Sequence, residues 1–355
     1  LISFIASMSG EGNLRVEENL GEGYVRLRVS EAERRQAKHD IQHVEDIVIE
    51  MLRNARDAGA DKVYLATTKE EGVRTLLFLD NGSGVPQDMQ ERIFDARVTS
   101  KLESMKMDRW GVHGRGMALF SIKQNTDEAR VVTSGVDLGS AFKVCVATDR
   151  LGERADQSSW PQAVKDEDGR YVCARGPHNI IRAACEFALE ELRCCDVYLG
   201  SPSEIAATLY AQASSRLDTS RLLFIDDECE LPVIDRLGLA SDAEDFIRIC
   251  SGLGLEMSER TAHRILSGQI KPVRGVTARL LRERDSTSHA PAPVDLAKDR
   301  RGLRIAKDDM AQFSRAVERD FNDLAARYFL NLCGDPKIRV SRDRITVTFD
   351  LAKEE

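Results

Sequence analysis

Between Ser30 and Gly59 the apolar residues Ala37, Ile41, Val44, Val48, Leu52 and Ala55 recur mostly at helical spacing. Ser30 followed by Glu33 supplies a capping-box start and Gly59 a stop, so the pattern predicts one long helix. Runs rich in Val, Leu, Tyr and Phe predict strands over 62–67 and 74–79. A short helix over 87–94, a polar stretch over 97–109, an apolar helix over 117–123 and strands over 129–133 and 141–146 follow. Upstream, strands are predicted over 2–6 and 24–29, joined through Gly10, Gly12, Gly21 and Gly23.

Residues 150–178 are polar and irregular and read as a boundary. Beyond them the pattern gives helices over 179–194 and 203–213, a strand over 196–199, and a strand over 221–225 that runs into Asp226-Asp227-Glu228. Helices over 243–250, 258–267 and 273–284 come next, then a Ser/Pro/Ala linker over 286–293. An amphipathic helix over 308–332 carries Met310, Phe313, Val317, Phe321, Leu324 and Phe329 on its apolar side, and strands over 337–340 and 344–349 close the chain. The division expected is 1–150, 151–235, 236–285 and 286–355.

Composition narrows the class. The 355 residues suffice for two or three domains at ~100–200 residues each. A net charge of -8 argues against whole-molecule attraction to nucleic acid, and no apolar run suffices to cross a bilayer. The stretch Leu1 to Ala6 is too short and lacks the basic leader of a signal peptide, and a start at Leu1 suggests a processed or truncated chain. Eight cysteines without a Cys-x-x-Cys pair argue against zinc and suit a reducing, cytoplasmic setting; the adjacent Cys194 and Cys195 read as packing residues.

Three clusters carry chemistry. On the long helix Glu50, Asn54 and Asp57 lie at i, i+4 and i+7 and share one face, although a solvated face reads equally well on these residues alone. Asp80-Asn-Gly82-Ser-Gly84 follows a buried strand; it is turn chemistry, or a carboxylate for an adenine amino group with glycines that let backbone approach the base. Gly111-Val-His-Gly114-Arg115-Gly116 precedes a helix whose exposed N–H groups suit a polyphosphate. It lacks the strand of a Rossmann glycine loop and the Gly-Lys-Ser/Thr of a P-loop.

In this order the clusters resemble the Bergerat-fold nucleotide-binding domain of gyrase B, histidine kinases, heat-shock chaperone ATPases and the MutL family, the GHKL ATPases. Glu50-x-x-x-Asn54-x-x-Asp57-Ala-Gly-Ala resembles the first box in its MutL-like form, Asp80 to Gly84 the second, and Gly111, Gly114 and Gly116, with Arg115 between them, the phosphate lid. Thr133 with Gly139-Ser140 resembles the adenine-side threonine and closing glycine. The likeness covers residues 40–147. It implies an α+β chain, a Bergerat-fold α/β sandwich followed by a mainly helical C-terminal region. It also implies ATP and Mg2+ as ligands, Asn54 as the metal ligand, Glu50 as the residue that activates water, Asp80 as the adenine selector and Lys101 as a lid lysine. Gly116-Met-Ala-Leu-Phe120 is closer to kinase or topoisomerase VI wording than to MutL, and no transducer lysine is assigned.

The output is expected downstream. Helices over 243–284 resemble a helix-turn-helix, with Arg260, Thr261 and Arg264 as candidate DNA contacts. From Met257 to Lys307 there are 12 basic and 5 acidic residues, a local +7. A packing or dimerisation module is the competing reading. The function expected is a Mg-dependent ATPase switch acting on a protein or DNA partner, as a candidate homodimer without a membrane. The alternatives are an ATP-responsive DNA-binding regulator and a protein kinase. His39 and His43, on the predicted long helix, leave no room for an upstream phosphoacceptor hairpin, which argues against autokinase activity.

Overall fold

A computed structural model describes residues 16–100, 106–108, 111–113, 116–192, 194–217, 227–281, 307–325, 330–334, 336–340 and 345–353. It divides into two compact units, Leu1–Asp285 and Ser286–Glu355.

In the first unit a hairpin of β1 (Val16–Gly21) and β2 (Tyr24–Leu27) leads to α1 (Glu31–Asp40) and α2 (Val44–Asp57). The predicted long helix is therefore two. Ile41 turns extended, and the Asp46 carboxylate accepts hydrogen bonds from the Gln42 and His43 amides, both at 2.8 Å. Val44 N donates to Gly152 O, which pins the second start. The periodicity runs through the break because Ala37 of the first helix and Ile41 after it are buried, as are Val44, Val48, Leu52 and Ala55 of the second. His39 thus lies in the last turn of one helix and His43 is the N-cap of the next.

Next come β3 (Lys62–Glu70), β4 (Val73–Asp80), two single 3-10 turns at Gln87–Met89 and Arg92–Phe94, and β5 (Val98–Thr99), which pairs with β2. The short segments β6 (Lys106–Asp108) and β7 (Gly111–His113) pair with each other. Then follow α3 (Ala118–Asn125), β8 (Glu128–Gly135) and β9 (Gly139–Ala147). The stretch expected to be irregular contains a hairpin, β10 (Gln162–Lys165) with β11 (Tyr171–Arg175), two short strands separated by the polar turn Asp166 to Arg170. The remaining elements are α4 (Ile180–Glu190), β12 (Asp196–Gly200), α5 (Pro202–Arg216), α6 (Ala243–Gly252), α7 (Glu259–Leu266) and a helical turn at 276–281.

Among the described residues the main sheet has the order β12-β3-β4-β9-β8, with β12 parallel to β3 and the other pairs antiparallel. Alternation along its strands feeds two cores. Val63, Leu65, Leu76, Phe78, Phe142, Val144, Val197 and Leu199 turn to one face, against Ile47, Val48, Leu52, Ala184 and Phe187 of α2 and α4. Tyr64, Ala66, Leu77, Leu79 and Ala141 turn to the other, against Ile205, Leu209, Phe246, Ile249, Ala262 and Ile265 of α5, α6 and α7. The downstream helices therefore cover the back of the sheet, which explains why strands β3 and β4 read as nearly continuous apolar runs.

In the second unit α8 (Lys307–Ala325) ends earlier than expected, and β13 (Leu330–Leu332) pairs with β16 (Leu351–Lys353). The expected hairpin is β14 (Lys337–Val340) with β15 (Ile345–Thr348), and Phe321 stacks on Phe349 at 4.0 Å. The strands expected over 2–6 and 221–225 and the linker over 286–293 lie outside the described residues. No helix among the described residues is long and apolar enough to cross a membrane. Cys173, Cys185, Cys195 and Cys250 are buried, whereas Cys194, Cys229 and Cys333 are exposed.

Candidate nucleotide site

A cavity of about 690 Å³ opens beside α2 on the front of the sheet. Its volume falls in the range of small-molecule sites. Glu50, Asn54 and Asp57 line it from successive turns of α2, whose opposite side is held by the core residues Ile47, Val48 and Leu52. Asp80 enters from the end of β4, and Phe78, Phe142, Val85, Ile93 and Val98 supply apolar wall.

The loop after β4 is fixed by hydrogen bonds before any ligand is considered. The buried Asp80 accepts from Gly82 N at 2.8 Å. Asn81 Oδ1 accepts from the Asp61 and Lys62 amides at 3.1 and 3.0 Å, and Ser83 N donates to Ala58 O at 2.8 Å. Gly82 stands behind Asp80, whereas Gly84 lines the cavity with φ +69°, where a Cβ would lie 1.8 Å from Gly135 O. These glycines are demanded by the approach of α2 and of the β8–β9 turn.

Ser140, 3% exposed, faces the cavity opposite Asp80 in the β4–β9 register. Its Oγ lies 2.9 Å from Ser134 Oγ, which accepts from Val85 N at 2.8 Å and donates to Gly139 O at 2.9 Å. Thr133 does not line the cavity. An irregularity between Val131 and Thr133 in β8 pairs Thr133 with Ala141, on the back face, and its Oγ1 accepts from Arg236 at 2.8 Å. Of these β8 and β9 hydroxyls the one that lines the cavity is Ser140, to which Ser134 is hydrogen-bonded; the shift of phase at Val132 leaves no mark that periodicity alone could read.

Electrostatically the described wall is acidic. Asp40, Glu50, Asp57 and Asp80 contribute to it, and Arg53 is the one cation among the described lining residues. The Arg53 guanidinium, 3% exposed, donates to Glu50 Oε1 at 2.7 Å. Asp57 accepts from Arg56 Nε at 3.1 Å, and Arg56 also donates to Glu191 at 3.0 Å. Burial pushes the Tyr24 phenol up, only partly offset by a hydrogen bond with Ser100, so it is a protonated wall group at neutral pH. Asn54 Nδ2 is buried with no partner among the described residues. Because an amide's nitrogen and oxygen exchange places on flipping, the Asn54 end facing the cavity fits an oxygen ligand for a hard cation such as Mg2+.

At the lid, Gly116 lines the cavity with φ +65°, its carbonyl accepting from Arg97 N at 2.8 Å. Gly111 opens the segment β7. Lys101, Gly114 and Arg115 lie outside the described residues. Far from this cavity in the chain, α7 buries Ala262 and Ile265 on the back-face core and exposes Arg260 and Arg264. Thr261 is half-buried, with its hydroxyl 3.0 Å from Ser258 Oγ.

Residues 41–142 match the family model described as histidine kinase-, DNA gyrase B-, and HSP90-like ATPase. Over 112 residues, 31% of this chain, the sequence is 34% identical to DNA mismatch repair protein MutL of Brucella abortus, covering 18% of that protein. The proteins of the same name from Thermodesulfovibrio yellowstonii and Pediococcus pentosaceus are each 31% identical, over 107 and 115 residues, covering 19% and 17% of their lengths. The match thus spans under a fifth of each of these curated relatives.

Proposed function

We propose, from the premise that residues 41–142 are a GHKL-type ATPase domain, that this chain binds and hydrolyses Mg-ATP and uses the cycle to change how it meets a macromolecular partner. The observation that carries the reading is the convergence of Glu50, Asn54, Asp57 and Asp80 on one cavity within the matched segment. Asp80, buried at the end of β4, accepts the adenine amino group, with Ser140 at its side. The apolar wall around Phe78 and Phe142 takes the base. Asn54 would hold Mg2+, which when bound neutralises and orients the phosphates. Glu50 orients a water and accepts its proton.

A nucleotide drives a conformational change only through its different affinity for the two states. The Arg97–Gly116 pair closes the base of the lid, so residues 97–116 are the segment suited to respond. The helices packed on the back of the same sheet are suited to carry the response to a protein or DNA. A second reading, an ATP-responsive contact with DNA through Arg260 and Arg264, is favoured by their exposure on α7 and by the local +7 around it.

The test is adenine-nucleotide binding and phosphate release, with and without Mg2+, by the intact chain and by Glu50→Ala, Asn54→Ala and Asp80→Asn. Asp80→Asn is expected to abolish tight binding, and Glu50→Ala to bind without turnover. An intact chain that binds no adenine nucleotide would refute the reading. A salt-dependent DNA shift lost in Arg260→Ala/Arg264→Ala would establish the second.

A further inference from the structure

Resting on that reading, we infer that Ser134 is a positioning residue that fixes the Ser140 hydroxyl as a hydrogen-bond acceptor and thereby makes the site prefer a 6-amino over a 6-oxo purine. Ser134 does not itself line the cavity. Its Oγ accepts from Val85 N at 2.8 Å, donates to Gly139 O at 2.9 Å and lies 2.9 Å from Ser140 Oγ. A serine hydroxyl has one proton to give and two lone pairs to fill. With its proton on Gly139 O, Ser134 meets Ser140 only as an acceptor, so Ser140 is the donor in that contact. The reverse arrangement, with Ser134 donating to Ser140, gives up the bond to the carbonyl of buried Gly139 and leaves two bonds at Ser134 instead of three.

Ser140 therefore turns only lone pairs toward the cavity that it lines. It is buried, and its partner in the β4–β9 register is the equally buried Asp80. Register partners on neighbouring antiparallel strands stand side by side, with Cβ atoms about 4.5–5.5 Å apart. A carboxylate and an acceptor hydroxyl so placed suit a group with two N–H donors, which the 6-amino group of a purine has. A 6-oxo group in the same position sets acceptor against acceptor. The mismatch persists as long as Ser134 holds the Ser140 proton, and it is the kind of repulsive element from which specificity is built. Without the Ser134 hydroxyl, Ser140 is free to turn its proton to the oxo group.

The test is the affinity for ATP and for ITP, its 6-oxo counterpart, of the parent, Ser134→Ala, Ser134→Thr, Ser140→Ala and Ser134→Ala/Ser140→Ala. The readout is the ratio of the ITP Kd to the ATP Kd, which a general loosening of the cavity would not move. Ser134→Ala is expected to lower that ratio by about tenfold, the worth of one hydrogen bond, and Ser134→Thr, which keeps the hydroxyl, to return it toward the parent value. Ser140→Ala is expected to lower the ratio as well. The double variant should then match Ser140→Ala, because both substitutions act on a single hydroxyl and their effects on the ratio do not add.

A Ser134→Ala variant that weakens ATP and ITP by the same factor overturns the inference while leaving the proposed function standing; a parent that binds no ATP removes the proposed function itself. Ser134 also holds Val85, so if Ser134→Ala does not fold, Ser134→Cys takes its place. The sulfur fills the space but accepts hydrogen bonds only weakly, and the same fall in the ratio is expected, with an unchanged ratio again overturning the inference.

Discussion

Arg236, only 5% exposed, donates from its guanidinium to Thr133 Oγ1 on the back of the sheet, one residue along β8 from Ser134, whose hydroxyl meets that of the cavity-lining Ser140 on the front. One strand thus carries adjacent hydroxyls into two different environments. Thr133→Val would leave a buried guanidinium N–H without its acceptor, a loss of about 1–3 kcal/mol. Urea melts are expected to show that loss, while nucleotide affinity changes by less than about twofold, since the Thr133 side chain lies outside the cavity. Ser140→Ala is expected to do the opposite, weakening nucleotide binding more than folding.

A second prediction concerns acid. Glu153 joins Arg74 Nε at 2.8 Å and Lys69 Nζ at 2.8 Å, anchoring the loop after β9 to the outer ends of β3 and β4. Burial alone would raise the Glu153 carboxyl, but the hydrogen bonds from Arg74 and Lys69 outweigh it and hold the group below the ordinary carboxylate range. A carboxyl depressed in the folded state adds stability that is fully present above its unfolded value, near pH 4.3, and is lost as pH falls through the folded one. Glu153→Gln should therefore cost about 2 kcal/mol at pH 7 and flatten the fall in stability as pH drops below the ordinary carboxylate range. Chemical denaturation across that range measures both effects, and an unchanged slope would remove Glu153 from the acid response.

Much of the first unit was legible because its signals are local. Strands β3 and β4, the face shared by Glu50, Asn54 and Asp57, and the turn after Asp80 follow from periodicity and from residues adjacent in sequence. What escaped depends on partners far along the chain. The break between α1 and α2 is stabilised by Gly152, more than a hundred residues on, and Thr133 turns to the back because of one irregularity in β8. That α5 to α7 cover the sheet could not be read from their amphipathicity, which states that a face is buried but not against what. The Glu50–Arg53 pair was readable in principle from i, i+3 spacing; only the burial of Arg53 makes it matter.

The two adjacent thiols between α4 and β12 should behave differently. Burial pushes the Cys195 thiol up to about 12, with the charges of Glu191 and Asp196 adding to the effect, while Cys194 is exposed. Because the thiolate is the reactive form, Cys195 at pH 7.5 offers far less of it than an ordinary cysteine does. Maleimide labelling of the native chain, read by fragmentation of the peptide that contains both, is expected to mark Cys194 and spare Cys195 until denaturant is added. Equal labelling of the two in the native chain would contradict this placement.

The strictest test of the cavity's construction lies in its glycines. At Gly84 a Cβ would fall 1.8 Å from Gly135 O, and at Gly139 it would fall 2.1 Å from Asp80 O; both have left-handed backbone, at φ +69° and +79°. Each obstacle is main chain, which cannot rotate aside as a side chain would, so strain and collision add. Gly84→Ala and Gly139→Ala are each expected to cost about 3 kcal/mol or more, and to lose nucleotide binding along with folding because the displaced backbone is that of the Asp80 loop. Gly59→Ala provides the control. Its φ is +77°, but nothing lies within 4 Å of its Cβ position, so it should pay only the conformational cost of about 1–2 kcal/mol. Melts of the three variants, ranked against one another, check the argument: if Gly84→Ala proves no more costly than Gly59→Ala, the contact between the Asp80 loop and the β8–β9 turn is not as close as the structure has it.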